Sequence, residues 1–495
     1  MRVPRREKSQ STDAGGHAPR SRAAVDSATA LVAEFCAESS GRLRGEAGTV
    51  ARRIGAELSE GQLRIATLGR VSSGKSTLVN ALVGCRMAPT DASECTRVVT
   101  CFRYGEQPSA TACLQDGQRI PLPEPRFDGS PPELPPDTPG LAYVEVRAPA
   151  DPLLEVTLID TPGVSSANSD VSERTHDLVS GRVAGLPTAD AVAFVLNQNL
   201  REDEYRLLQD VDRSNTLVPA FVHTVGVLAK ADLVGGGGTG AQEAARRLAR
   251  AIAADHRTLL AAVVPVVGLL AEVGNCQLLG EQDAYLIRRL AEDWDAAARE
   301  TALLAPELLD IQPSTVTPTE RRHLLGLLGL AGLRQLLQRV DDGYVSPAAL
   351  NAACRSISGY DDLRIALVHN FQQRADALKA GRALSALVRA AFGRPVQELA
   401  ARDRAWFQDR VESLRLDPRM HRILEFEALH RVLAGQVQLP EFLQRDVIRI
   451  VERGGRDSSL GAGAWQEFES RATSAGQRSV ARVMVRSYAI AADCR

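Results

Sequence analysis

The sequence predicts an α/β domain with a mainly parallel sheet and helices on both faces, followed by an all-helical region. Short runs rich in β-branched residues alternate with helical stretches between residues 63 and about 272. After about residue 280 the strand pattern stops, and apolar residues recur every three or four positions to the C-terminus. Strands that alternate with helices build a covered parallel sheet, whereas sustained helical periodicity builds a bundle.

The predicted strands are short apolar runs bounded by polar or glycine-containing stretches. They cover residues 63–68, 98–103, 143–146, 156–159, 191–196, 222–228 and 263–267.

The chain is predicted to contain four segments. Residues 1–21 are polar and basic without apolar periodicity, which predicts a disordered arm. Residues 22–60 are Ala-rich with helical spacing and predict one or two helices that join the later bundle, because a lone helix is unstable. Residues 61–275 form the α/β domain, and residues 276–495 form a helical bundle or stalk, with a possible membrane-binding tip.

Composition excludes few functions. The formal charge of -2 favours neither nucleic acid nor an anionic surface. Eight cysteines without a C-x-x-C pair predict no disulfide framework and a reducing cytoplasm. The most apolar run, residues 259–271, falls short of the roughly 20 residues that a membrane-spanning helix needs. We therefore expect a cytoplasmic protein that is not integral to the membrane, and peripheral attachment stays open.

A phosphate cradle lies between the first strand and a helix. The run GRVSSGKS, residues 69–76, satisfies G-x-x-x-x-G-K-[ST] in the strand–turn–helix context that this pattern requires. Gly69 and Gly74 let backbone N–H groups face a β-phosphate, Lys75 neutralises charge between the β- and γ-phosphates, and Ser76 offers a hydroxyl to Mg²⁺.

The run VTLIDTPG, residues 156–163, is an apolar strand that ends in an acidic residue. Asp160 at that position can hold the Mg²⁺ shell, usually through water. Gly163 allows a backbone N–H to approach the γ-phosphate because it has no side chain. This arrangement indicates a nucleotide switch in which residues 164–168 order with the triphosphate.

A threonine of the first switch loop is expected between these two motifs. Thr96 precedes a β-branched run, where its hydroxyl would reach Mg²⁺ and its carbonyl the attacking water. Thr90 and Thr100 compete for the same role, and the position nearest the strand start favours Thr96.

The run VLAKAD, residues 227–232, predicts which base is bound. The Asp232 carboxylate can accept both hydrogens on the N1 and N2 edge of guanine, whereas adenine offers no such pair of donors. The Lys230 stem would lie over the base, and Gly268 could give an N–H to the guanine oxygen. The order of these motifs makes GTP the predicted ligand, Mg²⁺ the cofactor and the α/β domain a P-loop GTPase domain.

The predicted nucleotide-binding residues share a place at the carboxyl end of the strands. They are Gly69, Ser72, Ser73, Gly74, Lys75, Ser76, Thr77, Lys230, Asp232 and Gly268, with Ser76, Thr96 and Asp160 as the metal residues.

The sequence resembles the dynamin superfamily of GTPases in residues 72–82 (SSGKSTLVNAL), in residues 95–97 (CTR) and in DTPG. Within that superfamily it is similar to the isoniazid-induced dynamin-like proteins of mycobacteria, through residues 88–92 (APTDA), 160–166 (DTPGVSS) and 263–271 (VVPVVGLLA). The strong motifs cover about residues 69–271.

The resemblance implies a GTPase head on a helical stalk, head-to-head pairing with GTP as a homodimer or with a related protein, and membrane binding through the stalk tip. By the same resemblance the catalytic residues are Ser72, which positions water or a charge-compensating cation, Thr96 for water and Mg²⁺, and Gly163 for the γ-phosphate. The membrane contact would be at the inner face of the cell membrane.

Two positions depart from the family pattern. Val71 stands where eukaryotic dynamins carry a glutamine that orients water, and Ala229 replaces a residue that braces the cradle. Both substitutions put the turnover rate in question. Arg70 and Arg97 are candidate internal arginine fingers, although exposed surface arginines are the favoured interpretation.

Two features of the helical half carry alternatives. Residues 324–333 (LLGLLGLAGL) could insert into lipid, but flanking arginines and three glycines favour a core helix or a hinge. The break at residues 392–395 (FGRP) is the preferred candidate for a stalk tip.

Three function classes remain. A membrane-remodelling or membrane-tethering dynamin-like GTPase fits the motif order best. A soluble regulatory or ribosome-assembly GTPase would usually carry a basic RNA-binding module, which is not visible after residue 280, so no nucleic-acid partner is expected. A weakly active scaffold in a hetero-oligomer would explain Val71 and Ala229.

Overall fold

The computed structural model describes residues 27–90, 98–135, 138–163, 188–215, 217–238, 240–453 and 460–493. Within these ranges the chain forms a nine-stranded sheet in the order β4-β3-β5-β2-β6-β1-β7-β8-β9. The strands are β1 Leu63–Gly69, β2 Thr100–Tyr104, β3 Ser109–Leu114, β4 Arg119–Leu122, β5 Leu141–Ala148, β6 Val156–Asp160, β7 Ala191–Leu196, β8 Thr224–Ala229 and β9 Val263–Val266.

Helices cover the sheet and fill the C-terminal half. Those flanking the strands are α1 Ala28–Arg42, α2 Gly45–Ser59, α3 Lys75–Val83, α4 Glu202–Ser214, α5 Ala220–His223, α6 Ala241–Asp255 and α7 Gly268–Cys276. The C-terminal helices are α8 Glu281–Asp293, α9 Ala296–Ala302, α10 Pro306–Ile311, α11 Pro318–Asp341, α12 Pro347–Ile357, α13 Tyr360–Asn370, α14 Ala375–Phe392, α15 Ala401–Leu416, α16 His421–Leu433, α17 Glu441–Arg453, α18 Gly461–Arg471 and α19 Ala475–Asp493. The predicted fold class is confirmed.

The centre of the sheet is parallel. Strand β1 is buried along its whole length and lies between β6 and β7, parallel to both. Its register pairs Thr67 with Asp160 of β6 and Gly69 with Val195 of β7. This register brings the carboxyl ends of β1 and β6 side by side, which is where ligands bind in open α/β sheets.

The prediction missed one hairpin and started two strands too early, since residues 98 and 99 precede β2 and residues 222 and 223 precede β8. Strands β3 and β4 form an antiparallel hairpin at the edge of the sheet, around a turn in which Gly117 has a φ of 89°. Their small and polar residues lack a strong β-branched pattern, so only this turn marked them. Val222, predicted as a strand residue, lies in the short helix α5 that precedes β8.

Three helical groups pack against the α/β domain; two of them enclose separate cores, and the third shares the core of the sheet. Helices α1, α2, α14 and α15 enclose one core around Phe35, Ile54, Leu387 and Phe407. Helices α8, α10, α11 and α12 enclose a second core that also takes in Leu270 and Val273 of α7. Helices α13 and α16 to α19 extend the core on one face of the sheet.

A buried cluster of four charged side chains joins the α/β domain to this helical region. Arg382 of α14 donates to Asp190 beside β7 at 2.6 Å and to Glu57 of α2 at 2.7 Å. Arg64 of β1 pairs with the same two carboxylates at 3.5 and 3.1 Å. The amino end of β1 is therefore tied to two helices of the bundle.

Residues 324–333 lie within α11, with Leu324, Leu328 and Leu333 buried. Gly329 interrupts this helix with a φ of 67° and a ψ of 172°. The segment is therefore a core helix with a kink, as its glycines predict. None of the described helices has the length and apolar character needed to cross a membrane.

Candidate nucleotide-binding site

The cradle connects the end of β1 to the start of α3. Gly69 has a φ of 145°, and a Cβ there would lie 2.2 Å from the carbonyl oxygen of Val195. Gly74 has a φ of 101° and caps the N-terminus of α3. Neither position tolerates a side chain in this backbone conformation, which explains both glycines of the motif.

Polar groups of the cradle turn inward. Lys75 is buried, and its Nζ donates to the carbonyl oxygen of Arg70 at 2.7 Å. The Ser73 hydroxyl is buried and has no hydrogen-bond partner among the described residues. A buried polar atom without a partner is costly, so the cradle favours a ligand that supplies one.

The hydroxyl of Ser76 donates to the Asp160 carboxylate at 2.8 Å. The other carboxylate oxygen accepts from Thr67 at 3.0 Å, and Asp160 is buried at the end of β6. The structure thus brings together the hydroxyl and the carboxylate that the sequence predicts as metal residues.

Gly163 lies directly against the cradle. A Cβ at Gly163 would lie 2.5 Å from both the backbone nitrogen and the Cα of Val71. Val71 itself is 38% exposed and lines a cavity that also includes Gly163 and the cradle. The glycine is therefore required by contact with the cradle, a reason that the sequence did not reveal.

The residues predicted to read the base begin after the end of β8. Lys230 adopts a left-handed conformation with a φ of 52°, and its Nζ donates to the carbonyl oxygen of Ser72 at 3.2 Å. Ser72 also has a positive φ, of 58°. Lys230, the first residue after β8, thus contacts the cradle through this hydrogen bond.

Asp232 lies two residues further on, in a short 3₁₀ helix from Ala231 to Gly236. Burial raises the pKa of Asp232, although Lys230 and a backbone hydrogen bond act in the opposite direction. Such desolvation strengthens any hydrogen bond that the carboxylate accepts.

Gly268 begins α7, and a Cβ there would meet the side chain of Thr77 at 3.6 Å. One cavity of about 750 Å³ is lined by the cradle residues from Ser72 to Thr77 and by Gly163, Lys230, Asp232 and Gly268. Small-molecule sites commonly have volumes of about 300–1,000 Å³. Residues from four separate stretches of the sequence thus line one cavity.

Thr96 and Arg97 lie outside the described residues. Of the two competing threonines, Thr90 is exposed and lines the cavity. Thr100 is buried at the start of β2 and donates to the carbonyl oxygen of Val98 at 3.4 Å. Arg70 is half-buried and pairs with Asp203 at 3.6 Å, so it is not the exposed surface arginine that was favoured from the sequence.

Asn80 has a role that sequence reasoning missed. Its amide accepts from the backbone nitrogens of Met87 and Ala88 at 2.9 and 2.7 Å and donates to the carbonyl oxygen of Ala88 and to Glu272 of α7. Glu272 also accepts from Arg86. Asn80 therefore fixes the segment that leads from α3 toward residue 90. A buried Asn in an apolar helix was the only available signal.

The fold and the cradle define this chain as a P-loop protein with an appended helical region. The dynamin family profile matches residues 65–125. The chain is 36% identical over 367 residues to the isoniazid-induced protein IniC of Mycobacterium tuberculosis, with 72% of each chain covered. The chain therefore belongs to the dynamin family, as a dynamin-like protein of the mycobacterial type.

Two further likenesses are narrower. A bacterial dynamin-like protein of Nostoc punctiforme is 41% identical over 61 residues, 12% of this chain and 9% of that protein. A solved structure of an oligomerised bacterial dynamin pair is 13% identical, with a TM-score of 0.30 over 98% of this chain and 77% of that chain. So low a TM-score does not establish a shared arrangement of domains.

Proposed function

We propose that this chain binds GTP and hydrolyses it to GDP and phosphate, and that it uses this cycle to associate its heads on a membrane. The observation that carries the proposal is the single cavity that joins the cradle, Gly163 and Asp232. Candidate phosphate-binding groups and candidate base-reading groups line the same cavity, as a site for a nucleoside triphosphate requires.

Mg²⁺ fits the donors at the phosphate end. The Ser76 hydroxyl and the Asp160 carboxylate are hard oxygen ligands that already contact each other. We assign Ser76 as a direct ligand, Asp160 as a holder of the water shell, and Thr96 as a ligand from the first switch loop. When bound, the ion would neutralise charge on the β- and γ-phosphate oxygens.

The chain's own residues would position the phosphates and the water. Lys75 would exchange the Arg70 carbonyl for phosphate oxygens, and the Ser73 hydroxyl would gain a partner. The N–H of Gly163 would contact the γ-phosphate. Ser72 and the carbonyl of Thr96 would position the attacking water, a task for which the Val71 side chain has no polar atom.

Guanine would be selected at the other end of the cavity. The half-buried carboxylate of Asp232 would be satisfied by the paired donors of guanine and left unpaired by adenine. The Lys230 stem, held to the cradle through Ser72, would cover one face of the base. The N–H of Gly268 would meet the guanine oxygen.

Hydrolysis assays of purified protein test this function. Lys75→Ala and Thr96→Ala should abolish GTP turnover, whereas the matched variant Thr90→Ala should retain it. Asp232→Asn should shift preference from GTP toward XTP. Turnover that survives Lys75→Ala would refute the assignment, and loss of turnover with Thr90→Ala alone would transfer the switch role to Thr90.

We further propose that the far end of the α14–α15 hairpin binds anionic lipid. Arg382 of α14 contacts the α/β domain, and Phe392 lies ten residues further along, about 15 Å away along the helix. Phe392 is 53% exposed and is accompanied by exposed Arg389 and Arg394. The turn between α1 and α2 includes exposed Arg44. This turn lies against the segment that connects α14 to α15, since a Cβ at Gly45 would lie 3.3 Å from the Glu398 carboxylate.

Liposome sedimentation tests this surface. Phe392→Ser should weaken binding to anionic vesicles, whereas Leu416→Ser at the opposite end of α15, where Leu416 is 78% exposed, should not. No binding to any anionic mixture, with or without GTP, would exclude the membrane function. Light scattering with a non-hydrolysable GTP analogue tests head association, as a homodimer or with a related protein.

Two alternatives remain as outcomes of these tests. Copurification with ribosomal subunits would favour a soluble regulatory or ribosome-assembly GTPase. A non-catalytic scaffold, suggested by Val71 and Ala229, is excluded if turnover is measurable and Lys75→Ala abolishes it. The proposed location is cytoplasmic, at the inner face of the cell membrane.

A further inference from the structure

The base end of the cavity has a wall that belongs to the helical region. Leu304, which precedes α10, and Leu330 and Arg334 of α11 line the same cavity as Asp232 and Gly268. Nothing in the cradle, switch or base-reading motifs points to these residues, because they follow all of those motifs in the sequence. It is the tertiary fold that places α11 beside the proposed nucleotide site.

Arg334 ties this wall to the loop that follows Asp232. Its guanidinium donates to the carbonyl oxygen of Gly237 at 3.3 Å and to that of Leu303 at 2.8 Å. Gly237 has a φ of 76°, and a Cβ there would lie 3.4 Å from the carbonyl oxygen of Asp232. One side chain therefore bridges the helical group, the glycine-rich loop and the vicinity of the base-reading carboxylate.

The kink in α11 faces the other base-reading residue. A Cβ at Gly329 would lie 4.0 Å from Leu269, the residue after Gly268, and a Cβ at Gly332 would lie 2.5 Å from Leu270. Helix α11 thus packs directly on the start of α7, and a side chain at Gly332 would have to displace the Leu270 side chain. A shift at Gly268 would be passed to α11 through this contact.

The rim of this end of the cavity is apolar and exposed. Leu233, Leu269 and Leu304 are 53%, 41% and 71% exposed, and all three line the cavity. A planar purine placed between Lys230 and these leucines would remove apolar surface from water. The cavity also holds Asp232, so a guanine base matches both the polar and the apolar lining.

We propose that α11 is part of the guanine site: Leu330 and Leu304 contact the base, and Arg334 is a positioning residue that holds the Asp232 loop. This inference rests on the proposed binding of GTP and adds that the nucleotide fastens the α8–α12 group to the head. The helical region then senses base occupancy directly, in the same chain.

Hydrogen exchange of the full chain with and without saturating GDP tests this inference. Added protection is expected in the cradle, residues 69–77, and also in residues 325–334 of α11. Arg334→Gln should lower GDP affinity roughly threefold to tenfold and remove the α11 protection, while cradle protection at saturation persists. The matched control is Arg339→Gln, because Arg339 pairs with Asp342 on the same helix and does not line the cavity.

A second variant separates a base contact from general loosening. Leu330→Ala should weaken GDP binding and leave the affinity for inorganic pyrophosphate unchanged, since pyrophosphate occupies only the cradle. Cradle protection without α11 protection would overturn this inference and leave GTP binding intact. Absence of GDP binding and of protection in both segments would overturn the proposed function and this inference together.

Discussion

Arg382→Met removes one cation from the buried cluster that joins the α/β domain to α14. Arg382 contacts Asp190 at 2.6 Å and Glu57 at 2.7 Å, and Arg382, Asp190 and Arg64 are all buried. After the substitution two carboxylates would share Arg64 as their remaining buried partner. Breaking a buried ion pair in this way costs about 3–5 kcal/mol, because an uncompensated charge stays in the interior.

The cluster offers two internal comparisons. Arg53 also contacts Glu57, at 3.0 Å, but from the half-exposed side, so Arg53→Met should cost less than about 1 kcal/mol. The double variant Glu57→Leu with Arg382→Met leaves Asp190 paired with Arg64. It should be more stable than Arg382→Met alone, since no buried charge remains unpaired.

Urea unfolding followed by tryptophan fluorescence measures these changes. Trp294, Trp406 and Trp465 all lie in the helical region and report its loss of packing. A chain of this size unfolds in more than one step. The variants are therefore compared at the fluorescence transition in which the core of α1, α2, α14 and α15, which packs against Trp406, is lost. Equal shifts for Arg382→Met and Arg53→Met, or a double variant as unstable as Arg382→Met, would refute the reasoning.

Three further predictions concern single side chains. Gly163→Ala places a methyl group 2.5 Å from Val71 and should lower GTP turnover roughly 100-fold, measured in single-turnover assays. Asn80→Leu leaves the backbone nitrogens of Met87 and Ala88 without acceptors and should cost about 3 kcal/mol in urea unfolding. Burial lowers the pKa of His223 to about 4, so stability should fall as the pH drops from about 6.5 toward 4, and His223→Gln should remove about 2 kcal/mol of that loss at pH 5.

Each of these predictions has a result that would contradict it, and the first also has a control variant. Gly41→Ala, at a position with open space around it, should leave turnover unchanged, and equal loss in both variants would contradict the contact argument. An Asn80→Leu variant as stable as the parent would mean that the 85–90 segment relaxes freely. For His223 the sign is fixed: a pKa lowered by folding gives stability above the unfolded pKa, so a steeper pH dependence in the glutamine variant would contradict it.

The convergence of the candidate site residues could be predicted because these residues act through local patterns. Gly69, Gly74 and Lys75 are constrained by the turn that they form, and Asp160 by its place at the end of a strand. Strand ends in a parallel sheet meet at one edge whatever the rest of the chain does. The sequence therefore predicts which residues converge, without distances.

Contacts between distant elements followed no such pattern. The hairpin of β3 and β4 lies at the sheet edge with weak alternation, so tertiary pairing decides its conformation. The helical spacing around Asn80 does not indicate its four hydrogen bonds, three to Met87 and Ala88 and one to the distant Glu272. Side-chain amides satisfy whatever the fold brings near them, so their partners cannot be read from spacing.

The fold class follows from local sequence patterns, and the same patterns predict the candidate phosphate and base residues, because turn geometry and strand ends are local properties. The contacts between distant elements come from the tertiary structure: Gly163 packs on Val71, Arg382 and Arg64 share two carboxylates, and α11 lines the cavity. These contacts depend on how helices dock onto the sheet. Docking is set by the sum of many packing contacts, and no short stretch of sequence encodes that sum.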